Sequence, residues 1–359
     1  MNILRNLVLC LAAAMTIGAA GRQQARWLET YHDFGAFAES DGPVSCRFYL
    51  VNTGDEPVAI VAARASCGCT APQYPRGSIA PGDTAAVTVT YDPAGRPGHF
   101  RKYVAVDLSY PDSRTKLDIA GTVIGSEASV GTRYPAQCAG GIRMAKGALM
   151  VGDVTKGRMQ TAFLGVYNTS DSTVTVRAEQ LPPYLEMAAQ GATIGAGEQS
   201  NLTFLFRSDR CPDYGLVEAN ILLLVGDQGC SLPVSAIVSE DFSGLDAREL
   251  ERAPVAYTEV SALDFGSYRR GSEAPVTRTF TVYNHGRSNL MIRRVYSADP
   301  GVTARAQSVK IKPGKSAEIT VEFTPSAVRG AFFNARLSLI TNDPAAPVKT
   351  IRLTATPEE

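Results

Sequence analysis

Two cysteines separated by one residue form the most chemically distinctive stretch of this chain, Cys67-Gly68-Cys69-Thr70. Paired thiols can form disulfides, exchange electrons with other thiols, or bind a soft metal such as Cu(I) or Zn(II) as thiolates. They can also be inert, partly buried side chains. A C-x-C pair supplies only two of the three or four ligands that a metal site needs. We therefore predict no metal site, and Cys67 and Cys69 are the only candidates for one.

No catalytic constellation accompanies these cysteines. His32, His99 and His285 fall at unrelated positions of the repeats described below. The chain contains no nucleophile elbow, phosphate-cradling glycine loop or HExxH motif. We predict a protein that is not an enzyme and uses no cofactor, and no small-molecule ligand is indicated.

Composition and the N-terminus predict an exported chain without a strongly charged partner. Lys plus Arg and Asp plus Glu each number 35, so the net charge gives no reason to expect nucleic acid or an anionic membrane. Arg5, the short apolar run at 7–17 and the small residues that follow predict a signal peptide over residues 1–20, cut near Ala20. No later segment qualifies as a transmembrane helix. We expect a periplasmic or extracellular protein, and association with the outer membrane stays open.

Four landmarks recur three times in the same order and predict internal repeats. The clearest are a turn that begins with Asn and a later turn that contains Gly. From the Asn to the residue before the Gly, the separations are 29, 28 and 29 residues. Asn can bond to its own backbone, the Gly that follows it can take the left-handed conformation, and Pro-Gly suits a type II turn. The predicted structural turn residues are Asn52, Gly54, Gly82, Asn284, Gly286 and Gly314.

Alternating apolar residues between the landmarks predict β-strands with one buried face. One matched set of strands covers residues 87–91, 202–206 and 319–323. Roughly seven short strands in about 100 residues are typical of an Ig-like sandwich. The fold class is therefore all-β, with three tandem Ig-like β-sandwich domains. Their predicted bounds are 28–125, 138–240 and 254–357, with linkers at 125–137 and 239–254 and a helical turn near 245–252.

The landmarks of the first repeat also support a resemblance to a known family. They are Asp33-Phe34-Gly35, Asn52-Thr53-Gly54, Ser66-Cys67-Gly68-Cys69-Thr70, Ile79-Ala80-Pro81-Gly82, Val89-Thr90-Tyr91-Asp92 and Gly98-His99-Phe100. With them, residues 28–125 resemble a family of secreted bacterial domains of unknown function, number fifteen seventy-three. The other two repeats resemble the wider class of Ig-like modules that includes the major sperm protein, hydin-type domains and pilus chaperones. That class implies binding and scaffolding rather than catalysis.

Strand order within a sandwich suggests which cysteines can meet. Cys46 begins a strand and Cys67 follows the next one, so both lie at one end of the first domain. A bridge between Cys67 and Cys69 themselves is expected to be strained, and the first expected disulfide therefore joins Cys46 to Cys67 or Cys69. Cys138 and Cys230 share one end of the second domain and form the second expected pair, which leaves Cys211 over.

These observations favour a non-catalytic exported Ig-like repeat protein that acts in protein–protein interaction or envelope scaffolding. Its partner would be an unidentified envelope or extracellular protein, bound through an exposed strand edge or through loops. An alternative is a periplasmic thiol-handling or soft-metal-binding protein that uses Cys67 and Cys69. A further alternative is a carbohydrate-binding accessory module.

Overall fold

The structure is a computed structural model that describes residues 25–328, 330 and 332–358. The predicted signal peptide lies outside these residues. The chain forms two compact units that divide after Arg133. The first unit holds one β-sandwich and the second holds two, each built around its own apolar core. Within the described residues, no helix is both long and apolar enough to cross a membrane.

The first sandwich packs a four-stranded sheet, in the order β1-β3-β7-β5, against a five-stranded sheet, in the order β2-β9-β8-β4-β6. Its strands are β1 (Ala25–Trp27), β2 (Tyr31–Ala38), β3 (Val44–Asn52), β4 (Val58–Ala65), β5 (Thr70–Gln73), β6 (Ser78–Ile79), β7 (Thr84–Tyr91), β8 (Gly98–Leu108) and β9 (Thr115–Ile124). A short helix, α1 (Glu127–Arg133), follows β9. The sequence pattern did not predict this helix, which falls within the expected linker at 125–137.

The second sandwich has two five-stranded sheets, in the orders β10-β11-β13-β17-β15 and β12-β19-β18-β14-β16. Its strands are β10 (Ala136–Gln137), β11 (Ile142–Met144), β12 (Leu149–Thr155), β13 (Met159–Asn168), β14 (Val174–Glu179), β15 (Leu185–Met187), β16 (Ala192–Ile194), β17 (Gln199–Arg207), β18 (Gly215–Val225) and β19 (Gln228–Ser239).

The third sandwich has the orders β20-β22-β26-β24 and β21-β28-β27-β23-β25. A short helix, α2 (Ala247–Glu251), precedes it, and the Asp246 carboxylate caps the helix by accepting from the N–H groups of Arg248 and Glu249. The strands are β20 (Ala256–Thr258), β21 (Ala262–Tyr268), β22 (Val276–Asn284), β23 (Leu290–Ser297), β24 (Val302–Ala306), β25 (Lys310–Ile311), β26 (Ser316–Phe323), β27 (Phe333–Thr341) and β28 (Val348–Pro357).

The period of two in the sequence explains why these segments form half-buried strands. In β7, every second residue from Ala85 to Tyr91 faces the core, and β26 repeats the pattern from Ala317 to Phe323. All three sandwiches also pair an early strand in parallel with the last one, β2 with β9, β12 with β19 and β21 with β28. The prediction of an all-β chain of tandem Ig-like sandwiches is confirmed.

Candidate functional site

The structure joins Cys67 to Cys69 in a disulfide, with 5.3 Å between their Cα atoms. The sequence-based preference for a bond from Cys46 to one of them is wrong, because Cys46 is free. An extended chain would hold Cα atoms two residues apart at about 6.6–7.2 Å. Here the chain turns at Gly68, which shortens that distance into the range that disulfides normally span.

Backbone hydrogen bonds hold the Cys67–Cys69 turn at both ends. On the β4 side, the Ser66 N–H donates to the Tyr103 carbonyl at 2.9 Å. On the β5 side, the Asp92 N–H donates to the Cys69 carbonyl at 2.9 Å. Inside the turn, the Thr70 N–H donates to the Cys67 carbonyl at 3.3 Å. The backbone of the turn therefore has a frame that does not depend on the sulfur–sulfur bond.

The two sulfur-bearing residues differ in exposure. Cys69 is only 7% exposed and belongs to the core of the sandwich, whereas Cys67 is half-buried at its edge. Gly68 between them is exposed, and a Cβ built there would meet none of the described atoms within 4 Å. The Thr70 hydroxyl lies 3.4 Å from the Cys67 Sγ and 3.8 Å from the Cys69 Sγ. The Thr70 hydroxyl is therefore close enough to hydrogen-bond with either sulfur. The side of Cys67 next to Gly68 is accessible from solvent.

The free cysteines are buried in two different cores. Burial, with a smaller contribution from the Glu29 carboxylate, raises the pKa of the Cys46 thiol to about 11. Burial likewise raises the pKa of the Cys211 thiol. A thiol is nucleophilic and metal-binding only as its thiolate, so both groups are held in their unreactive form.

A second disulfide joins Cys138, just beyond β10, to Cys230 in β19. It is the second pairing expected from strand order, and it links the two sheets of the second sandwich. The two bridges constrain the chain very differently, because one spans a sequence separation of 2 and the other a separation of 92. In the chain-entropy model, the bridge that closes the longer loop stabilises the fold by about 4.6 kcal/mol, and the bridge that closes the shorter loop does so by about 1.5 kcal/mol.

Metal binding by Cys67 and Cys69 would require both sulfurs as thiolates, and in the disulfide neither is one. Across residues 25–328, 330 and 332–358, no three His, Cys, Asp or Glu side chains are grouped so that they could hold a metal ion.

The predicted Asn turns connect two loops of each sandwich. The Asn52 side chain is 1% exposed, and its Nδ2 donates to the carbonyls of Glu56 at 2.8 Å and Ile79 at 2.9 Å. Its Oδ1 accepts from the Gly54 N–H at 3.0 Å, and its backbone carbonyl accepts from Gly82 at 2.9 Å. The sequence pattern indicated only the local bond to Gly54. The structure also shows the hydrogen bond to Ile79, which ties Asn52 to a residue 27 positions later in the chain.

The same tie recurs in the other two sandwiches. Asn284 Nδ2 donates to the carbonyls of Ser288 and Ile311, and the Gly314 N–H donates to the Asn284 carbonyl. Asn168 holds the equivalent place in the second sandwich. Because each Asn contacts the loop just before the Gly turn, the spacing between these two landmarks cannot vary much.

The four turn glycines have different reasons to be glycine. Gly82 and Gly314 have φ values of +80° and +67°, as a Pro-Gly turn requires. The expected left-handed conformation is wrong for Gly54 and Gly286, because neither has a positive φ. Gly286 is instead crowded by the preceding linker, since a Cβ there would lie 2.3 Å from the Ala253 carbonyl oxygen.

Strand edges are the other candidate sites, and β5 closes one edge in the first sandwich. Opposite residues of two antiparallel strands alternate between hydrogen-bonded and non-hydrogen-bonded pairs. The bond from the Asp92 N–H to the Cys69 carbonyl marks a hydrogen-bonded pair, so Thr70 and Pro72 are in non-hydrogen-bonded pairs and direct their backbone groups away from β7. The Thr70 N–H is already bonded to the Cys67 carbonyl, and proline has no N–H. Among the described residues of β5, no backbone N–H is therefore available to a partner strand.

The equivalent edge strand of the second sandwich, β15, offers one donor. The Arg207 N–H bonds to the Tyr184 carbonyl, so Leu185 and Met187 point their backbone groups outward. The Leu185 N–H is bonded within its own loop, to Pro182. Met187 is left with its N–H directed to the open side.

The third sandwich offers two donors at the equivalent strand, β24. The Gln307 N–H bonds to the Glu318 carbonyl, so Val302, Ala304 and Ala306 direct their backbone groups away from β26. Val302 donates back into its own loop. Among the residues that the structure describes, β24 pairs with no strand besides β26, so the N–H and C=O groups of Ala304 and Ala306 face an open edge.

The second compact unit has a tight joint between its two sandwiches. Gly215 begins β18 with a φ of +76°, and a Cβ there would lie 2.3 Å from Ile340 Cδ1. The Leu216 N–H donates to the Tyr296 hydroxyl at 2.9 Å, and Arg294 Nη1 donates to the Leu216 carbonyl at 2.6 Å. Only a residue without a side chain allows the two sandwiches to approach this closely.

A carboxylate clamp closes one end of the first sandwich. The Glu39 carboxylate accepts from the N–H groups of Gly95 at 2.7 Å and Ser126 at 2.8 Å, and from the Ser129 hydroxyl. Burial alone would raise its pKa, but the bonds from Ser129, Ser126 and Gly95 outweigh it and lower the pKa of Glu39 to about 2. The clamp attaches α1 to the sandwich.

Fold and topology define a tandem array of Ig-like β-sandwiches with a disulfide turn in its first member. Residues 25–123 match the family model described as "Protein of unknown function (DUF1573)", which confirms the resemblance seen in the first repeat. Residues 257–356 match the model described as "HYDIN/CFA65/VesB-like, Ig-like domain". Neither description names a catalytic activity.

Solved structures show similarity at low identity. A protein of unknown function from Porphyromonas gingivalis W83 is 22% identical, with 60% of this chain and all of that one covered and a TM-score of 0.49. The CupB2 chaperone of Pseudomonas aeruginosa is 11% identical, with 58% and 98% covered and a TM-score of 0.23. An endo-fucoidan hydrolase of glycoside hydrolase family 107 is 11% identical, with 88% and 42% covered and a TM-score of 0.26, so this chain spans less than half of it. None of these values supports a functional argument, and no curated protein matches the chain.

Proposed function

We propose that this chain is an exported Ig-like repeat protein of the cell envelope or its surroundings, and that it binds an extended segment of a partner protein along β24. The observation that carries the proposal is the open edge at Ala304 and Ala306. Its equivalents in the other sandwiches are blocked by proline and by loop hydrogen bonds, or offer a single donor.

The chemistry of this edge suits an added strand. Ala304 and Ala306 are two residues apart, so their outward N–H and C=O groups repeat about every 6.6–6.8 Å along the strand, as in a regular ladder. An added strand would form up to about four backbone hydrogen bonds, each with a net contribution of about 1 kcal/mol. About 4 kcal/mol corresponds to a millimolar dissociation constant. A tighter partner must therefore also use side chains, on the strand face or on neighbouring loops.

A proline at position 304 tests the proposal with little effect on the sandwich. Because the Ala304 N–H points away from β26, Ala304→Pro removes an outward donor and leaves the ladder to β26 intact. Ala304→Val keeps the N–H and is the matched control. Extended peptides selected from a display library on the full chain would serve as probes.

The expected result is that selected peptides bind the wild type and Ala304→Val, lose at least about tenfold in affinity with Ala304→Pro, and slow hydrogen exchange at the amides of Ala304 and Ala306. Peptides that bind Ala304→Pro equally well, or that protect neither amide, would show that β24 is not the binding edge.

Export and the three-domain division belong to the same proposal. Disulfides are formed and kept in oxidising compartments, so the two bridges are consistent with an exported chain. Expression with residues 1–20 in a host that secretes proteins, followed by intact-mass measurement, is expected to give a product that begins near residue 21. A product that retains residues 1–20 would contradict the signal-peptide assignment.

A further inference from the structure

We propose that Cys67–Cys69 is a redox-active disulfide that accepts two electrons and two protons from polypeptide dithiols. This inference is independent of strand binding at β24. It rests on four observations about one turn: the local span of the bridge, the backbone frame around it, the unequal exposure of its sulfurs and the position of one hydroxyl.

The bridge is placed so that it can open without opening the sandwich. It joins residues only two positions apart, and bonds from Ser66, Asp92 and Thr70 hold the backbone on either side of it. The Cys138–Cys230 bridge is the opposite case, because it links two sheets across 92 positions. Reduction of Cys67–Cys69 therefore leaves the strand pairing of the domain in place.

The unequal exposure gives the exchange a direction. A thiolate that approaches over the exposed Gly68 reaches the half-buried Cys67 Sγ before the buried Cys69 Sγ. Attack forms a bond from the incoming sulfur to Cys67 Sγ and breaks the bond between Cys67 and Cys69. The electron pair of the broken bond goes to Cys69 Sγ, where the Thr70 hydroxyl, 3.8 Å away, can donate to the developing charge.

The second step completes the balance. The second thiolate of the polypeptide attacks the polypeptide sulfur that is bonded to Cys67 Sγ in the mixed disulfide. A disulfide forms within the polypeptide, and Cys67 Sγ leaves as a thiolate. The polypeptide then holds a disulfide, and Cys67 and Cys69 hold the two protons that the dithiol has given up. The reverse reaction with a small-molecule disulfide, such as oxidised glutathione, restores the bridge. Cys46 cannot take over as a resolving thiol, because it is buried in the core and its pKa is raised to about 11.

The first test uses the full chain and its second disulfide as an internal reference. The chain is equilibrated with increasing concentrations of a reduced two-cysteine peptide, quenched with acid, alkylated and mapped by mass spectrometry. We expect Cys67–Cys69 to open at a peptide concentration at least about tenfold lower than Cys138–Cys230, with an unchanged far-UV circular dichroism spectrum. The proposal is overturned if the two bridges open together, if Cys138–Cys230 opens first, or if the spectrum collapses as Cys67–Cys69 opens.

The second test asks which sulfur is attacked. It uses variants in which one cysteine of the Cys67–Cys69 pair is replaced, with oxidised glutathione as the probe. Cys69→Ser leaves the accessible thiol at Cys67 and is expected to form a mixed disulfide. Cys67→Ser leaves the buried Cys69 as the remaining thiol of the pair, and this thiol is expected to react at least about tenfold more slowly. Equal rates would overturn the assignment of Cys67 as the attacked sulfur.

The third test concerns Thr70 as a positioning residue. Thr70→Val keeps the side-chain shape and removes the hydroxyl, and we expect exchange with the two-cysteine peptide to slow about threefold to tenfold. Thr70→Ser retains the hydroxyl and is expected to restore the rate. If Val and Ser variants exchange at the same rate, the hydroxyl has no part in the reaction.

Discussion

The buried Asn of each repeat makes a quantitative prediction possible in one sandwich at a time. Asn52→Ala removes two bonds from Nδ2, to the carbonyls of Glu56 and Ile79, and one bond from the Gly54 N–H to Oδ1. At about 1 kcal/mol for each bond, the free energy of unfolding of the first sandwich should fall by about 3 kcal/mol. With a guanidinium m-value of about 3 kcal/mol/M for a domain of this size, the unfolding midpoint should fall by about 1 M.

The chain contains an ideal probe for this measurement, because its single tryptophan, Trp27, lies in β1 of the first sandwich and packs against that core. Tryptophan fluorescence therefore follows the first sandwich alone. Asn284→Ala is the matched control, since it removes the equivalent bonds from the third sandwich and should leave the Trp27 transition unchanged. A shift below about 0.3 M for Asn52→Ala, or an equal shift in the control, would refute the role given to this tie.

Two further predictions concern the Glu39 clamp and the joint at Gly215. The pKa of Glu39 is lowered to about 2 from 4.5, so its stabilisation is complete above pH 4.5 and is lost as the pH falls towards 2. Allowing for partial solvent exposure, Glu39→Gln should lower the free energy of unfolding of the first sandwich by about 1–2 kcal/mol at neutral pH. It should also weaken the loss of stability at acid pH, as followed by Trp27 fluorescence. An unchanged loss of stability at acid pH would contradict this prediction. Gly215→Ala would place a Cβ 2.8 Å from the Tyr296 hydroxyl, whereas a Cβ at Gly226, which has a φ of +61°, would meet none of the described atoms within 4 Å. In urea unfolding followed by circular dichroism, Gly215→Ala should therefore lower the free energy of unfolding by at least about 2 kcal/mol more than Gly226→Ala does. Equal losses would show that the contact between the two sandwiches at Gly215 is not close.

The repeat pattern predicted much of the fold because its landmarks are local. Alternation of apolar residues defines strands such as β7 and β26 without reference to anything distant. The spacing from Asn52 to Gly82 was visible in the sequence, but its cause was not, because the bond from Asn52 to Ile79 crosses the sandwich. The helix α1 was missed because its seven residues, among them a glycine and two β-branched residues, carry no clear helical period.

The cysteine pairing shows where reasoning from strand order is incomplete. Strand order places Cys46 near the end of the sandwich that holds Cys67, but it does not say which way a side chain faces. Cys46 points into the core from β3, whereas Cys67 and Cys69 flank a tight turn. A turn at Gly68 that brings the two Cα atoms within bonding range can be recognised only when the backbone is placed.

The sequence by itself determined the fold class and the repeats, and it singled out Cys67-Gly68-Cys69-Thr70. These follow from periodicity, turn chemistry and composition, which are properties of neighbouring residues. The tertiary structure alone decided that Cys67 bonds to Cys69, that the Thr70 hydroxyl lies beside both sulfurs, and that the backbone groups of Ala304 and Ala306 point away from β26. The first two depend on how the backbone turns at Gly68 and on which way the side chains point, and the third depends on where distant strands pair, and the pattern of residue types encodes neither.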